Sequence, residues 1–147
     1  MPQQDVNESE HPYLFHLVEK HLWDQLERAP GGNEAVYYPP TYKQDGFTHA
    51  TANLAVLLTV ANHFYTAIPG DWLCLKMTVA SIEATGPKVV FEARAPVGNT
   101  SANFDDTSDE LFPHIYGGIR SDGVLDVFPV KRDTKGNFIA VIGLTDR

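Results

Sequence analysis

Two short segments concentrate the side chains best suited to chemistry. Gly46-Phe47-Thr48-His49-Ala50-Thr51 and Phe112-Pro113-His114-Ile115-Tyr116-Gly117 each set one histidine among glycine, aromatic and hydroxyl residues. Histidine changes charge near neutral pH, and its ring nitrogens can hydrogen-bond a ligand hydroxyl. His49 also stands just before a stretch with helical periodicity, where free backbone N–H groups can receive negative charge. The alternative is a structural histidine whose ring is bonded to a backbone carbonyl, and for either segment alone that alternative stays open. Two such motifs far apart in sequence share a purpose only if they line one concave region. That is the expected placement of His49, Glu92, His114 and Tyr116.

The common catalytic signatures are absent. The chain has no GxGxxG, no P-loop, no HExxH and no GxSxG, which removes the usual nucleotide, zinc-protease and hydrolase readings. His11, His16 and His21 lie five residues apart and would not share a helix face, so no metal site is expected. The single cysteine, Cys74, sits in an apolar run and reads as a buried core thiol in a reducing compartment. A net charge of -8 and a pI near 5.0 argue against a double-stranded DNA partner. No apolar run approaches the ~20 residues that span a bilayer. The polar, acidic residues 1–10 resemble neither a signal nor a transit peptide and read as a mobile tail. A cytoplasmic protein is the resulting expectation.

The elements that must hold these residues follow from periodicity. The 147 residues suit one domain over 11–147, and an apolar fraction of 43% can fill a core. Residues 13–17 suit a strand, and residues 18–28 a helix that Pro30, Gly31 and Gly32 stop. Val36 to Tyr38 and Gly46 to Ala50 read as short extended pieces. Thr51 reads as the cap of a helix running to Tyr65, because Leu54, Leu57, Leu58, Ala61, Phe64 and Tyr65 recur at helical spacing. Residues 71–79 form a strand with Trp72, Cys74 and Lys76 on one face and Leu73, Leu75 and Met77 on the other. Residues 88–95 form another strand, and residues 124–131 and 137–142 make a hairpin across 133–136. Residues 96–110 read as a long acidic loop carrying Asp105, Asp106, Asp109 and Glu110. The class is α+β, a mainly antiparallel sheet with packed helices.

The order of these pieces resembles a family of small, mainly bacterial proteins known as domain of unknown function 952. The resemblance rests on Leu14-Phe15-His16-Leu17, Trp23, Tyr38-Pro39-Pro40, Gly46 to Thr51, Trp72 to Val79, Glu92, and Phe112 to Gly117. It covers about residues 13 to 130, and the two histidine motifs are specific only together. It implies an ADP-ribosyltransferase-like split architecture holding NAD in a cleft. His49 and Thr51 are similar to a His-x-Thr motif that contacts the ribose beside nicotinamide, and Glu92 is the matching acid. The catalytic pair implied is thus His49 and Glu92, with Thr51, Arg94, His114 and Tyr116 binding the ligand. NAD enters as a substrate and no metal is needed.

Breaking a nicotinamide–ribose bond builds positive charge on the sugar, which a nearby carboxylate stabilises. Arg94, two residues beyond Glu92 on a strand, points to the same face and suits either a diphosphate or an ion pair with Glu92. The acidic stretch 96–110 departs from the family pattern and would repel a dinucleotide if it covered the cleft. Three functions stay open: an NAD-using glycosyl or ADP-ribosyl transferase, a non-catalytic nucleotide-binding module, and an interaction protein that engages a basic partner through the acidic loop.

Overall fold

The computed structural model describes residues 11–102 and 110–146. The N-terminal tail expected over residues 1–10 and the centre of the acidic loop lie outside the described residues. The rest is one α+β domain in which every strand pairing is antiparallel.

The opening apolar run forms β1 (Leu14–Glu19), which pairs with β4 (Trp72–Met77). The hairpin β8 (Asp126–Arg132) and β9 (Phe138–Val141) extends this sheet to the order β1-β4-β8-β9. A second sheet has the order β3-β6-β5, from Thr48–His49, Leu111–Tyr116 and Lys88–Ala93. A two-stranded ribbon joins β2 (Val36–Tyr37) to β7 (Ile119–Arg120). The helices are short: α1 (Lys20–Glu27), α2 (Tyr42–Asp45), α3 (Leu57–Phe64) and α4 (Val79–Glu83).

The alternation along β4 divides the interior as its sequence predicts. Leu73, Leu75 and Met77 enter a core shared with Val89, Phe91 and Ile115 of the second sheet. Trp72 and Cys74 point oppositely, into a core with Leu57 and Ala61 of α3 and Phe138 and Val141 of β9. Both faces of β1 and β4 are therefore covered, which accounts for their nearly unbroken apolar runs. The Cys74 thiol is buried as expected, and burial pushes its pKa up to about 12. Hairpin β8–β9 turns where expected, with the Asp133 carboxylate accepting the amides of Lys135 and Asn137 at 2.9 Å each.

Several boundaries differ from the sequence expectation. Val18 and Glu19 continue the strand instead of starting the helix, because they pair with Leu73 and Trp72. The helix expected from Thr51 to Tyr65 starts at Leu57, after a 3-10 turn at Leu54–Val56 that Asn53 caps by accepting from the Ala55 amide at 3.0 Å. Thr51 is not a cap. Its amide and carbonyl exchange two 2.8 Å bonds with Phe15. The outer edge of β1 carries unpaired backbone groups at Phe15, and the extended chain at Thr51 satisfies them. Residue 79 opens α4 instead of ending β4, through a capping box of Thr78 and Ser81.

Candidate functional site

The site grows from the centre of the second sheet. In β6, His114 stands opposite His49 of β3 on one side and Val90 of β5 on the other. Alternation places Phe112, His114 and Tyr116 on the face shared by His49, Val90 and Glu92. The opposite face, with Val89, Phe91 and Ile115, is core. The fully buried Thr48 hydroxyl donates to the Gly117 carbonyl at 2.7 Å and helps hold β3 against the end of β6.

The approach to β3 brings a carboxylate to His49. The single turn of α2 ends at Gly46, whose left-handed φ of 83° lets its amide close on the Tyr42 carbonyl. Asp45 thereby lies one turn back from His49, and its Oδ2 is 2.9 Å from His49 Nε2. A carboxylate only accepts, so Nε2 carries the proton and Nδ1 keeps its lone pair. His114 is braced in the same way: its Nδ1–H donates to Glu92 Oε1 at 2.7 Å, and its Nε2 keeps the lone pair. Tyr116 donates its hydroxyl to that same Glu92 oxygen at 2.5 Å. The two imidazoles lie edge to face, 5.7 Å between centroids, and Phe47 stacks on His114 at 4.0 Å.

Burial sets the charge state. It lowers the pKa of both His49 and His114, outweighing the carboxylates beside them. Both rings are neutral near pH 7, each held in one tautomer. Glu92 is pushed up by burial, but the hydrogen bonds from Tyr116 and His114 together leave it below its ordinary value. The Glu92 bond pushes Tyr116 up to about 12.

Four of the six expected residues, His49, Thr51, Arg94 and His114, line one narrow slot with a cavity volume of about 30 Å³. Glu92 and Tyr116 belong to the same cluster but do not line that slot. Glu92 sits behind His114, and Tyr116 is exposed beside Pro87 and Gly117. The junction expected to supply helix N–H groups beside His49 does not form, because α3 begins only at Leu57 and His49 lies in a strand.

Beyond Leu17, Phe64, Tyr65 and Val97, which it shares with the slot, lies a larger cavity of about 220 Å³. His16 lines it. The His16 Nδ1–H donates to the His49 carbonyl at 2.6 Å, so this ring, and neither of the other two, is the one bonded to a backbone carbonyl. Its Nε2 has no partner among the described residues although His16 is only 4% exposed. Burial lowers its pKa to about 4. Because Phe15 bonds outward to Thr51 while Lys20 bonds inward to Asp71, the Leu17 amide and carbonyl also point outward from β1, toward this cavity. His16, Asp45 and Phe47 were not among the residues assigned roles from sequence. His16 and Phe47 lay inside the segments that carried the resemblance, and Asp45 was legible only as an acid four residues before a histidine. Among the described residues no group of histidine, cysteine and acidic side chains could hold a metal ion, and no helix is long and apolar enough to cross a membrane.

Comparison with known proteins gives one family and one fold relative. The family described as "Protein of unknown function (DUF952)" matches residues 17–127. The crystal structure of protein CC0527 from Caulobacter crescentus is similar in fold, with a TM-score of 0.61 at 16% identity over 86% of this chain and 93% of that one. A double mutant of the same protein matches with a TM-score of 0.60 at the same identity and coverage. No curated protein matches the chain.

Proposed function

The chain belongs to the DUF952 family, and for it we propose a cleft that binds a ribose-containing nucleotide, NAD first, and moves protons at the sugar through His49 and His114. The observation that carries this reading is the facing pair of neutral imidazoles, each fixed by its own carboxylate, in a slot that Thr51 and Arg94 also line. A neutral imidazole with one free lone pair is suited to take a proton near pH 7, and the carboxylate behind it stabilises the imidazolium that forms.

In a glycosyl transfer, the acceptor oxygen joins the sugar carbon and gives its proton to one imidazole, while the departing nicotinamide nitrogen takes the bonding pair. His49, with Thr51 beside it, holds the ribose hydroxyls. Glu92 acts through His114. The larger cavity supports the same reading: an engineered apolar cavity of about 150 Å³ binds benzene, so about 220 Å³ admits a single ring. The ADP-ribosyltransferase-like description rests on the motif resemblance alone.

Calorimetric titration with NAD, ADP-ribose and a 2′-phosphorylated ribonucleotide tests the proposal. Heat is expected from at least one of them, with a matching rise in melting temperature. His49→Ala abolishes both and leaves the unliganded protein folded. Glu92→Gln keeps binding and loses nicotinamide release. A folded protein that gives no heat with any of the three sinks the nucleotide reading and turns attention to a basic partner for the acidic stretch 96–110.

A further inference from the structure

Asp45 serves two parts of the cleft at once. Its Oδ2 takes the His49 Nε2 proton at 2.9 Å, and its two oxygens lie 3.1 and 3.2 Å from the Gly98 amide. The carboxylate is 5% exposed. Gly98 belongs to a turn closed by reciprocal bonds between Val97 and Thr100, at 3.0 and 2.9 Å. The neighbouring Gln44 donates to Asn99 in that same turn at 2.9 Å. Val97 lines the slot, and residues 97–100 line the larger cavity. The wall that bounds both voids therefore hangs from the carboxylate that fixes the proton of His49.

Displacing that wall would join the slot, about 30 Å³, to the larger cavity of about 220 Å³ and widen the approach to the histidines. Gly98 seats the wall closely. Its φ is 56°, and a Cβ there would lie 3.0 Å from Thr41 Cγ2. When the wall lifts, Asp45 loses a backbone donor and becomes a stronger acceptor toward His49.

Resting on the reading of this cleft as a proton-transfer site, we propose that Asp45 is a positioning residue that fixes the tautomer of His49 and couples docking of the 97–100 wall to its basicity. Docked, the wall shares the carboxylate and leaves His49 as the Nε2–H tautomer with a weak Nδ1 base. Lifted, it leaves the carboxylate to His49 alone and the base strengthens as the ligand enters. Among the described residues, the other ionisable groups near His49 are His114 on β6, His16 on β1 whose ring binds the His49 carbonyl, Tyr65 after α3, and Arg94 in the slot lining. None of them is bonded to its Nε2, which Asp45 occupies.

The test needs no ligand. The Gly98 amide is a fixed donor, whereas an imidazole can exchange tautomers. In Asp45→Asn the side-chain oxygen therefore stays with Gly98 and its NH2 turns to His49, which must accept. Histidine ¹⁵N NMR is expected to show His49 as Nε2–H in the parent and as Nδ1–H in Asp45→Asn, with Gly98 hydrogen exchange preserved. In Asp45→Ala, Gly98 exchange is expected to accelerate at least tenfold. An unchanged His49 tautomer in Asp45→Asn overturns the coupling, as does unchanged Gly98 exchange in Asp45→Ala. If Asp45→Ala does not fold, the isosteric variant decides. An inverted tautomer together with a silent nucleotide titration would remove the nucleotide reading and leave the role of Asp45 standing. An unchanged tautomer in a protein that binds NAD would do the reverse.

Discussion

At the scale of single residues, three histidines of one chemical type have three different environments, and hydrogen-bond partners separate them. His49 and His114 each face a carboxylate and keep a usable lone pair in the cleft. His16 faces a carbonyl and leaves its second nitrogen buried without a partner among the described residues. The cost of charging His16 has a direct consequence for acid stability. Its folded pKa of about 4 lies below the ordinary 6.5. Between those values the unfolded chain takes up a proton that the folded protein refuses. The contribution of His16 is thus fully present above pH 6.5 and is lost as the pH falls toward 4. It amounts to roughly 2 kcal/mol between pH 7 and pH 4.5. Urea unfolding at the two pH values should show His16→Asn with a correspondingly shallower acid loss than the parent; an identical slope would refute it. Glu92 governs a second titration. Its bond is the first cause of the raised Tyr116 pKa of about 12. Glu92→Gln should bring Tyr116 back toward the ordinary phenol value, read from the ring carbon resonance of labelled tyrosine. A Tyr116 that still titrates near 12 in that variant would mean another group holds its proton.

At the scale of elements, the longer strands other than β6 were legible, as were the short extended pieces at 36–38 and 46–50, whereas β6 and the helix boundaries were not. β4 showed its two faces in sequence because Leu73, Leu75 and Met77 alternate with Trp72 and Cys74, and the fold covers both sides. Helix α3 showed its apolar spacing but not its start. The residues before it, through Thr51, are drawn into bonds with Phe15 by the edge of β1. Helix α4 went unread since five residues are too few to display a helical period, and its cap carries the signal instead. The Thr78 hydroxyl accepts from the Ser81 amide at 3.0 Å, and Ser81 returns a bond to the Thr78 amide at 2.9 Å. Removing one partner leaves an orphan donor at a helix start, so Thr78→Ala should cost about 1 kcal/mol in denaturant unfolding. Thr78→Ser should restore most of it. A loss below the error of the measurement would mean that packing of Val79 and Ile82, and not the cap, holds α4.

At the scale of the whole molecule, the β1-β4 pair separates two cores. Ile115 lies fully buried between the two sheets, and Leu57 of α3 lies in the core on the far side. The two share no cluster, so their deletions should not communicate. Leu57→Ala is expected to cost 2–5 kcal/mol and Ile115→Val about 0.5–1.5 kcal/mol. The double variant should match their sum to within about 0.5 kcal/mol in urea unfolding. A larger departure would show that strain passes through the sheet from one core to the other. The cleft lies along the outer edge of β1, beside both cores, with His16 projecting from one face of that strand and Leu17 from the other.

The α+β class, the β8–β9 hairpin, the faces of β4, the buried thiol and the family were readable from the residues alone, because each is written in local alternation, turn chemistry or motif order. The sequence also marked His49 and His114 as residues of interest. Folding alone shows that His49 and His114 face each other, that Asp45 and not a helix terminus serves His49, that Glu92 stands behind His114 rather than in the slot, and that His16 keeps a buried acceptor nitrogen. The physical reason is the register of antiparallel pairing. A shift of β6 by one residue against β3 or β5 would turn His114 into the core and bring Ile115 into the cleft. That register is set by the fit of Val89, Phe91 and Ile115 against the other sheet, contacts between residues far apart in the chain that no local pattern records.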